Sequence, residues 1–560
     1  MAHVGDWPST RDGSSDRRRF LQQCIAAAAA TRVSGLTLTT AGIAAAASSA
    51  RATVATVAAG ESRTVIAHTA AGDVRGTVAD GIHVFKGVRY GADTAARRFM
   101  PPLPPERWTS AKDATSYGPA CLQSGTMPEP SSEDCLFLNV WTPGLRDGGS
   151  RPVLFYIHGG AYSHGSGSSP LYDGTRLCRR GDAVVVTVNH RLDAFGHLYL
   201  ARLGGPEWGD SGNAGLLDLV LALKWVRDNI AEFGGDRGRV MLFGQSGGGA
   251  KIATLMAMPA AQGLFHRAAT MSGQQLTASG PLHATERARA FLTALRLPGD
   301  GVAQLKALPA QRLLEALETV DPVIGEGSLY FGPVLDERSL RRHPFYPDAP
   351  ALSAHIPMII GNTHDETRTL IGASHPDTFA LSWEQLPQEL AKQMRVDIQP
   401  EIVIAEYRRL YPQYSASDVF FSATTAGRSW RAAIVEAELR AAQDFPAYAY
   451  QLDWKSPLDG GKWGAPHTLD IPLVFDNNDK AGSLTGTGAS AQRMADRMSE
   501  AFLAFARTGD PNNRALPKWE PYRLPRRQTM VLDDTSRLVD DPRGAERRLF
   551  AKVPFVQQGT

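Results

Sequence analysis

Two rhythms of apolar residues alternate along this chain. One is a set of short unbroken runs: Val153–Ile157 ("VLFYI"), Val184–Val188 ("VVVTV"), Val240–Phe243 ("VMLF") and Met358–Ile360, the last entered through Pro357 and left at Gly361. Runs of this length without polar alternation predict strands buried on both faces. The other rhythm is helical. Leu217, Leu221 and Trp225 recur at four-residue spacing before Gly234-Gly235, and Met494, Met498, Phe502 and Phe505 form a second stripe before Gly509-Asp510-Pro511. Such stripes read as core packing rather than as a ligand surface. Strand-like runs alternating with helical ones, with no internal repeat and no long linker, predict an α/β fold whose mostly parallel central sheet is covered by helices.

The third run leads into "VMLFGQSGGGAK" (Val240–Lys251), where glycines surround a single Ser. A phosphate-binding loop would need a Lys directly after the last Gly of G-x-x-x-x-G. Gly244 and Gly249 have that spacing, but Ala250 stands where the Lys is required. Gly244-Gln245-Ser246-Gly247-Gly248 also fits G-x-S-x-G, a strained strand-to-helix turn that exposes the Ser at its apex. On this motif alone a glycine-rich loop with an incidental Ser is an equal alternative.

Composition narrows the field. With 560 residues, 43% hydrophobic and 21% charged, the chain is ordinary globular material with room for a large core or two domains. A formal net charge of +2 gives no reason to expect a nucleic-acid partner. The N-terminus stands apart. Arg17-Arg18 followed by Phe20-Leu21 resembles a twin-arginine export signal, an Ala/Thr/Gly-rich stretch follows, and Ala50-Arg51-Ala52 has the form of a small-residue cleavage site. The stretch is too polar for a stable membrane span, which wants about 20 apolar residues. Residues 1–52 carry six Arg and three Asp, which leaves the rest of the chain at a formal −1. The expected organisation is an export signal over 1–52, a flexible mature N-terminus over 53–63, one domain over 64–550 and a tail over 551–560, with the product periplasmic or extracellular. Three cysteines remain after the signal, Cys121, Cys135 and Cys178. An exported protein can hold a disulfide. No C-x-x-C and no H-E-x-x-H occurs, so neither metal nor cofactor is expected.

A nucleophilic Ser needs a base, an acid to orient that base, and donors for the oxyanion. "FYIHGGAYSHGSG" (Phe155–Gly167) follows an apolar run, and its small residues allow backbone N–H groups to face a substrate oxygen. Glu366, in "IIGNTHDET" just past a strand, is the candidate acid, and His467, in "WGAPHTLDIPLVF", the candidate base. The order Ser, acid, His is that of α/β-hydrolases.

Here a resemblance becomes specific. "SEDCLFLNVWTP", "HGGAY", "VNHRLDAFG", "GNAGLLDLVLALKWVRDNIAEFGGD", "GQSGGG", "GNTHDE" and "ARTGDPN" together resemble the type-B carboxylesterases of the bacterial para-nitrobenzyl-esterase-like kind, and more distantly the cholinesterases. The resemblance covers nearly all of residues 64–550. It implies an α/β-hydrolase fold with a large central sheet and elaborated loops over the active site. It implies Ser246 as nucleophile, Glu366 as acid and His467 as base, with Gly160, Ala161 and Gly247 as the oxyanion donors. It further implies a disulfide between Cys121 and Cys135, which leaves Cys178 free, and a buried structural ion pair between Arg98 and Glu133. Cholinesterases carry a Glu before the nucleophile and aromatics just after the acid. Here Gln245, Thr369 and Leu370 stand in those places, and "LQSGTMPEPSSED" contains no aromatic. Recognition of quaternary ammonium groups on aromatic faces is therefore not expected. The implied activity is hydrolysis of small to medium neutral esters through an acyl-enzyme. Alternatives are a specialised ester, carbamate or amide cleaved by the same triad, or a non-catalytic binding protein on this fold. The expected partner is a small ester substrate, without nucleic acid or a stable membrane anchor, on a monomer or weak homo-oligomer. Lys251 has no assigned role.

Overall fold

A computed structural model describes residues 63–125, 127, 129–557 and 559–560; the expected export signal and its cleavage site lie outside them. The strands are β1 (Arg63–Thr69), β2 (Gly72–Ala79), β3 (Ile82–Arg89), β4 (Lys112–Asp113), β5 (Ala120–Cys121), β6 (Ser131–Ser132), β7 (Phe137–Thr142), β8 (Arg151–Ile157), β9 (Val184–Val188), β10 (Gly235–Gln245), β11 (Arg267–Met271), β12 (Met358–Thr363), β13 (Ala447–Leu452), β14 (Gln528–Leu532) and β15 (Arg537–Asp540). Most of them build one sheet in the order β1-β2-β3-β7-β9-β8-β10-β11-β12-β13-β14-β15, with β4 on β2; β5 and β6 pair separately. The pairs from β1 to β9 and the last pair, β14 with β15, are antiparallel. The centre, from β9 through β14, is parallel.

The unbroken apolar runs form this parallel centre because each strand feeds two cores. Val153, Phe155 and Ile157 join Val184, Val186, Val188, Val240 and Leu242 on one face, while Leu154, Tyr156, Val185, Met241 and Phe243 face the other way. Successive side chains alternate across a strand, so a strand covered on both sides has no polar position to spare. Helix Ala214–Asn229 covers the first face and helix Ala489–Thr508 the second. The stripe Met494, Met498, Phe502 and Phe505 is fully buried, and Gly509, at φ 82°, caps the helix in the left-handed region.

Two features differ from the pattern read along the chain. Leu217 and Leu221 are only half-buried; the inner face of their helix is Leu216, Leu219, Val220, Leu223 and Val226. A helix pressed into a large core is apolar over most of its girth, so one four-residue stripe does not find its deepest side. Between β12 and β13, the helices Leu386–Gln393, Pro400–Leu410 and Ala416–Thr425 enclose a separate small core around Leu390, Val403, Tyr407, Phe420 and Phe421. The third of them starts in a capping box, Ser415 with Asp418. It buttresses the segment that carries Glu366: the Thr367 hydroxyl donates to the Phe421 carbonyl at 2.8 Å.

Candidate active site

The carboxyl ends of β8, β10 and β12, and the loop after β13, converge on one place. β10 ends at Gln245 and helix Gly247–Leu255 begins two residues later, so Ser246 is the whole turn. Its φ of 57° and ψ of −127° are strained for a non-glycine residue. The turn is held from both sides: Ser246 N–H donates to the Met271 carbonyl at 2.8 Å, and the Ser246 carbonyl accepts from Ala250 N–H at 3.1 Å. The glycines make it possible. A Cβ on Gly248 would stand 2.0 Å from the Ile157 carbonyl oxygen, and one on Gly273 would stand 1.7 Å from that of Ser246. Ser246 itself is half-buried, whereas its neighbours in the turn are buried.

After β8, the segment His158–Ala161 lies directly on this turn; a Cβ on Gly159 would meet that of Ser246 at 3.2 Å. Gly160 and Ala161 both have left-handed φ, 83° and 51°. Among the described residues their N–H groups donate to no protein acceptor, and the Gly247 N–H, first in its helix, has no intrahelical partner by position. These are the three groups expected to receive an oxyanion. A Cβ on Gly247 would lie 2.0 Å from the Ala161 carbonyl oxygen, so the chain has room there only for glycine. Beneath the loop, His158 and His190 stack at 4.8 Å between ring centroids. Burial, with the nearby Lys251 charge, pulls His158 down to about 3. Lys251 is fully buried, and burial pulls it down to about 7.

Glu366 is fully buried just beyond β12 and has work for both oxygens. Oε1 accepts from Thr363 N–H at 2.9 Å, and Oε2 is hydrogen-bonded to His467 Nδ1. A second link aligns the two loops. Asp365 N–H donates to the Ala465 carbonyl at 2.9 Å, and Ala465 N–H returns a bond of 2.9 Å to Asp365 Oδ2. Asp365 is held below the usual carboxylate range: burial opposes its charge, but His364 and the Ala465 N–H outweigh that cost.

Among the contacts of the described residues, Ser246 and His467 do not form a hydrogen bond. The atom near the imidazole is Gln245 Nε2, at 3.3 Å from Nδ1 and 3.2 Å from Nε2. A point in the ring plane equally near both nitrogens would run into the carbon between them, so the amide lies over the ring face. Catalytic hydrogen bonds often tighten only when substrate is bound.

Arg98 and Glu133 form a two-pronged pair of 2.6 and 2.5 Å, and the remaining guanidinium nitrogen reaches the Leu308 carbonyl at 2.5 Å. A second buried pair, Arg191 with Asp218 at 2.6 Å, ties the loop after β9 to helix Ala214–Asn229. The disulfide expected between Cys121 and Cys135 is not formed: both, like Cys178, are buried free thiols. The fold does bring the two together. The contact with Cys121, followed by burial, pushes the Cys135 thiol well above its ordinary value.

A parallel sheet with a seryl turn at the end of its central strand defines the α/β-hydrolase class. Residues 63–549 match the model of the carboxylesterase family, and the chain belongs to that family. It is a carboxylic ester hydrolase. Para-nitrobenzyl esterase from Bacillus subtilis is 34% identical over 490 residues, spanning 85% of this chain and 96% of the relative. Phenmedipham hydrolase from Pseudarthrobacter oxydans is 36% identical over 494 residues, spanning 84% and 94%. Among solved structures, the Geobacillus stearothermophilus carboxylesterase EST55 at pH 6.2 superposes with a TM-score of 0.77 at 36% identity, covering 87% of this chain and 99% of its own.

Proposed function

We propose that this esterase cleaves small to medium neutral esters through an acyl-enzyme on Ser246. The observation that carries the reading is the convergence of the strained Ser246, the unengaged Gly160 and Ala161 N–H groups, and a buried Glu366 bound to His467. Ser246 Oγ attacks the carbonyl carbon while His467 Nε2 takes its proton. The carbonyl oxygen, now negative, is received by Gly160, Ala161 and Gly247. The carbon–oxygen bond to the alcohol breaks, and the alcohol leaves with the proton from His467. Water, deprotonated by the same imidazole, then releases the acid and restores Ser246. Glu366 holds the Nδ1–H tautomer throughout.

The neutral preference rests on Gln245. An amide over the imidazole replaces the carboxylate that would draw a cation to this point, and a unit charge pair at such range is worth about 4 kcal/mol at an effective dielectric near 20. The test compares kcat/KM for p-nitrophenyl butyrate, p-nitrophenyl palmitate and butyrylthiocholine. Butyrate should lead, and a lead for the choline ester would overturn the neutral-ester reading. Export before action completes the proposal, supported by the ordered twin-arginine, apolar and cleavage-site features of residues 1–52.

A further inference from the structure

Lys251 is a costly residue. It sits wholly buried in helix Gly247–Leu255, five residues after the nucleophile candidate, and the reaction drawn above does not use it. Burying a long cationic side chain is unfavourable unless its donors are matched. They are matched by backbone: Nζ donates to the Ala161 carbonyl at 2.8 Å and to the His158 carbonyl at 3.2 Å, and it lies 5.4 Å from the centroid of the Tyr162 ring. The two carbonyls bracket Gly159, Gly160 and Ala161, the segment that presents two of the three oxyanion donors.

We infer that Lys251 is a positioning residue that sets the oxyanion hole, by clamping both ends of the segment that carries Gly160 and Ala161. The backbone shows why a clamp is needed. Gly160 and Ala161 are consecutive residues with left-handed φ, a conformation that is strained for the non-glycine Ala161. A strained residue persists only where its surroundings over-determine it. The Lys251 Nζ donor supplies that constraint at the carbonyl of Ala161 itself. Gly247 fits the same device: the Ala161 carbonyl oxygen fills the space that a Cβ at 247 would occupy. Lys251 and Gly247 thus make one arrangement, the first pulling the carbonyl in and the second leaving room for it. Lys251 is wholly buried with its Nζ on backbone carbonyls, so it acts through the direction of two peptide N–H groups.

This inference rests on the esterase mechanism above, so the test begins with the wild type, which must hydrolyse p-nitrophenyl butyrate and bind an aryl trifluoromethyl ketone. The ketone adds to Ser246 Oγ and leaves an oxyanion in the hole. Failure of the wild type in both assays overturns the mechanism rather than the role of Lys251. Lys251→Met and Lys251→Gln are then compared with it. For Lys251→Met, kcat should fall by roughly 10²-fold, the scale for loss of an oxyanion donor, with little change in KM. Affinity for the ketone should fall in proportion to kcat/KM. Lys251→Gln, which keeps a donor for one carbonyl, should lie between. A folded Lys251→Met with wild-type kcat and ketone affinity overturns the inference. So does a loss of kcat with ketone binding intact, or a failure of both variants to fold, which would make Lys251 a folding residue only.

Discussion

At the scale of single residues, the site is built from small groups and backbone rather than from many side chains. Gly247 illustrates this. Replacing it with Ala places a methyl group 2.0 Å from the Ala161 carbonyl, so the loop must retreat and take the Ala161 N–H with it. The expected outcome for Gly247→Ala is a fall in kcat of about 10²-fold or more with the fold retained. Steady-state kinetics beside circular dichroism decide this, and unchanged kcat would show that the loop is not held where the structure places it. Ser246, Glu366 and His467 are readable in the sequence only as a set: Glu366 and His467 carry little signal alone, and the order Ser, acid, His together with the family resemblance singles them out. Lys251 and Asp365 are not readable. Their partners are backbone groups 90 and 100 residues away, and a backbone carbonyl leaves no trace in residue identity. The face-on place of Gln245 was equally hidden; the sequence showed only that it lacked a charge.

At the scale of elements, the parallel strands were the most legible part of the chain. Val184–Val188 is the whole of β9, and the runs at 153, 240 and 358 lie within β8, β10 and β12. Their signal is strong because a strand buried on both faces admits no polar residue. The helical insertion after β12 was invisible to the same reading, since its core is local and its helices are short. The link between the acid and base loops carries a pH signature. His364 is raised above the ordinary imidazole value: burial opposes its charge, but Asp365 outweighs it, with Arg543 lowering and Asp453 raising it less. For a raised histidine the stabilisation is complete below the unfolded value of 6.5 and is lost as pH rises through the folded value. Asp365, lowered, contributes above its unfolded value of 3.8 and loses that contribution on acidification. The pair is therefore worth most between these two values. Thermal melts of the wild type and His364→Ala should differ more at pH 6 than at pH 9. A difference equal at both would show that this pair does not couple protonation to stability.

At the scale of the whole molecule, the chain is a common scaffold with little net charge outside residues 1–52. The formal −1 left after residues 1–52 gives no long-range steering of cations. No described helix is long and apolar enough to cross a membrane. Fold class and family were readable because many separated motifs agree with one architecture, and agreement across the chain outweighs any single short match. The pairing of Cys121 with Cys135 came from the family resemblance, and the structure brings the two side chains into contact as free thiols. The central claim is that Ser246 carries the acyl group. Its most direct measurement is peptide mass mapping after reaction with a fluorophosphonate, run beside the kinetics of Ser246→Ala. The modification should fall on Ser246 alone, and the variant should escape labelling and lose kcat by about 10⁶-fold. Labelling at another residue, or more than a few per cent of activity in Ser246→Ala, would contradict it.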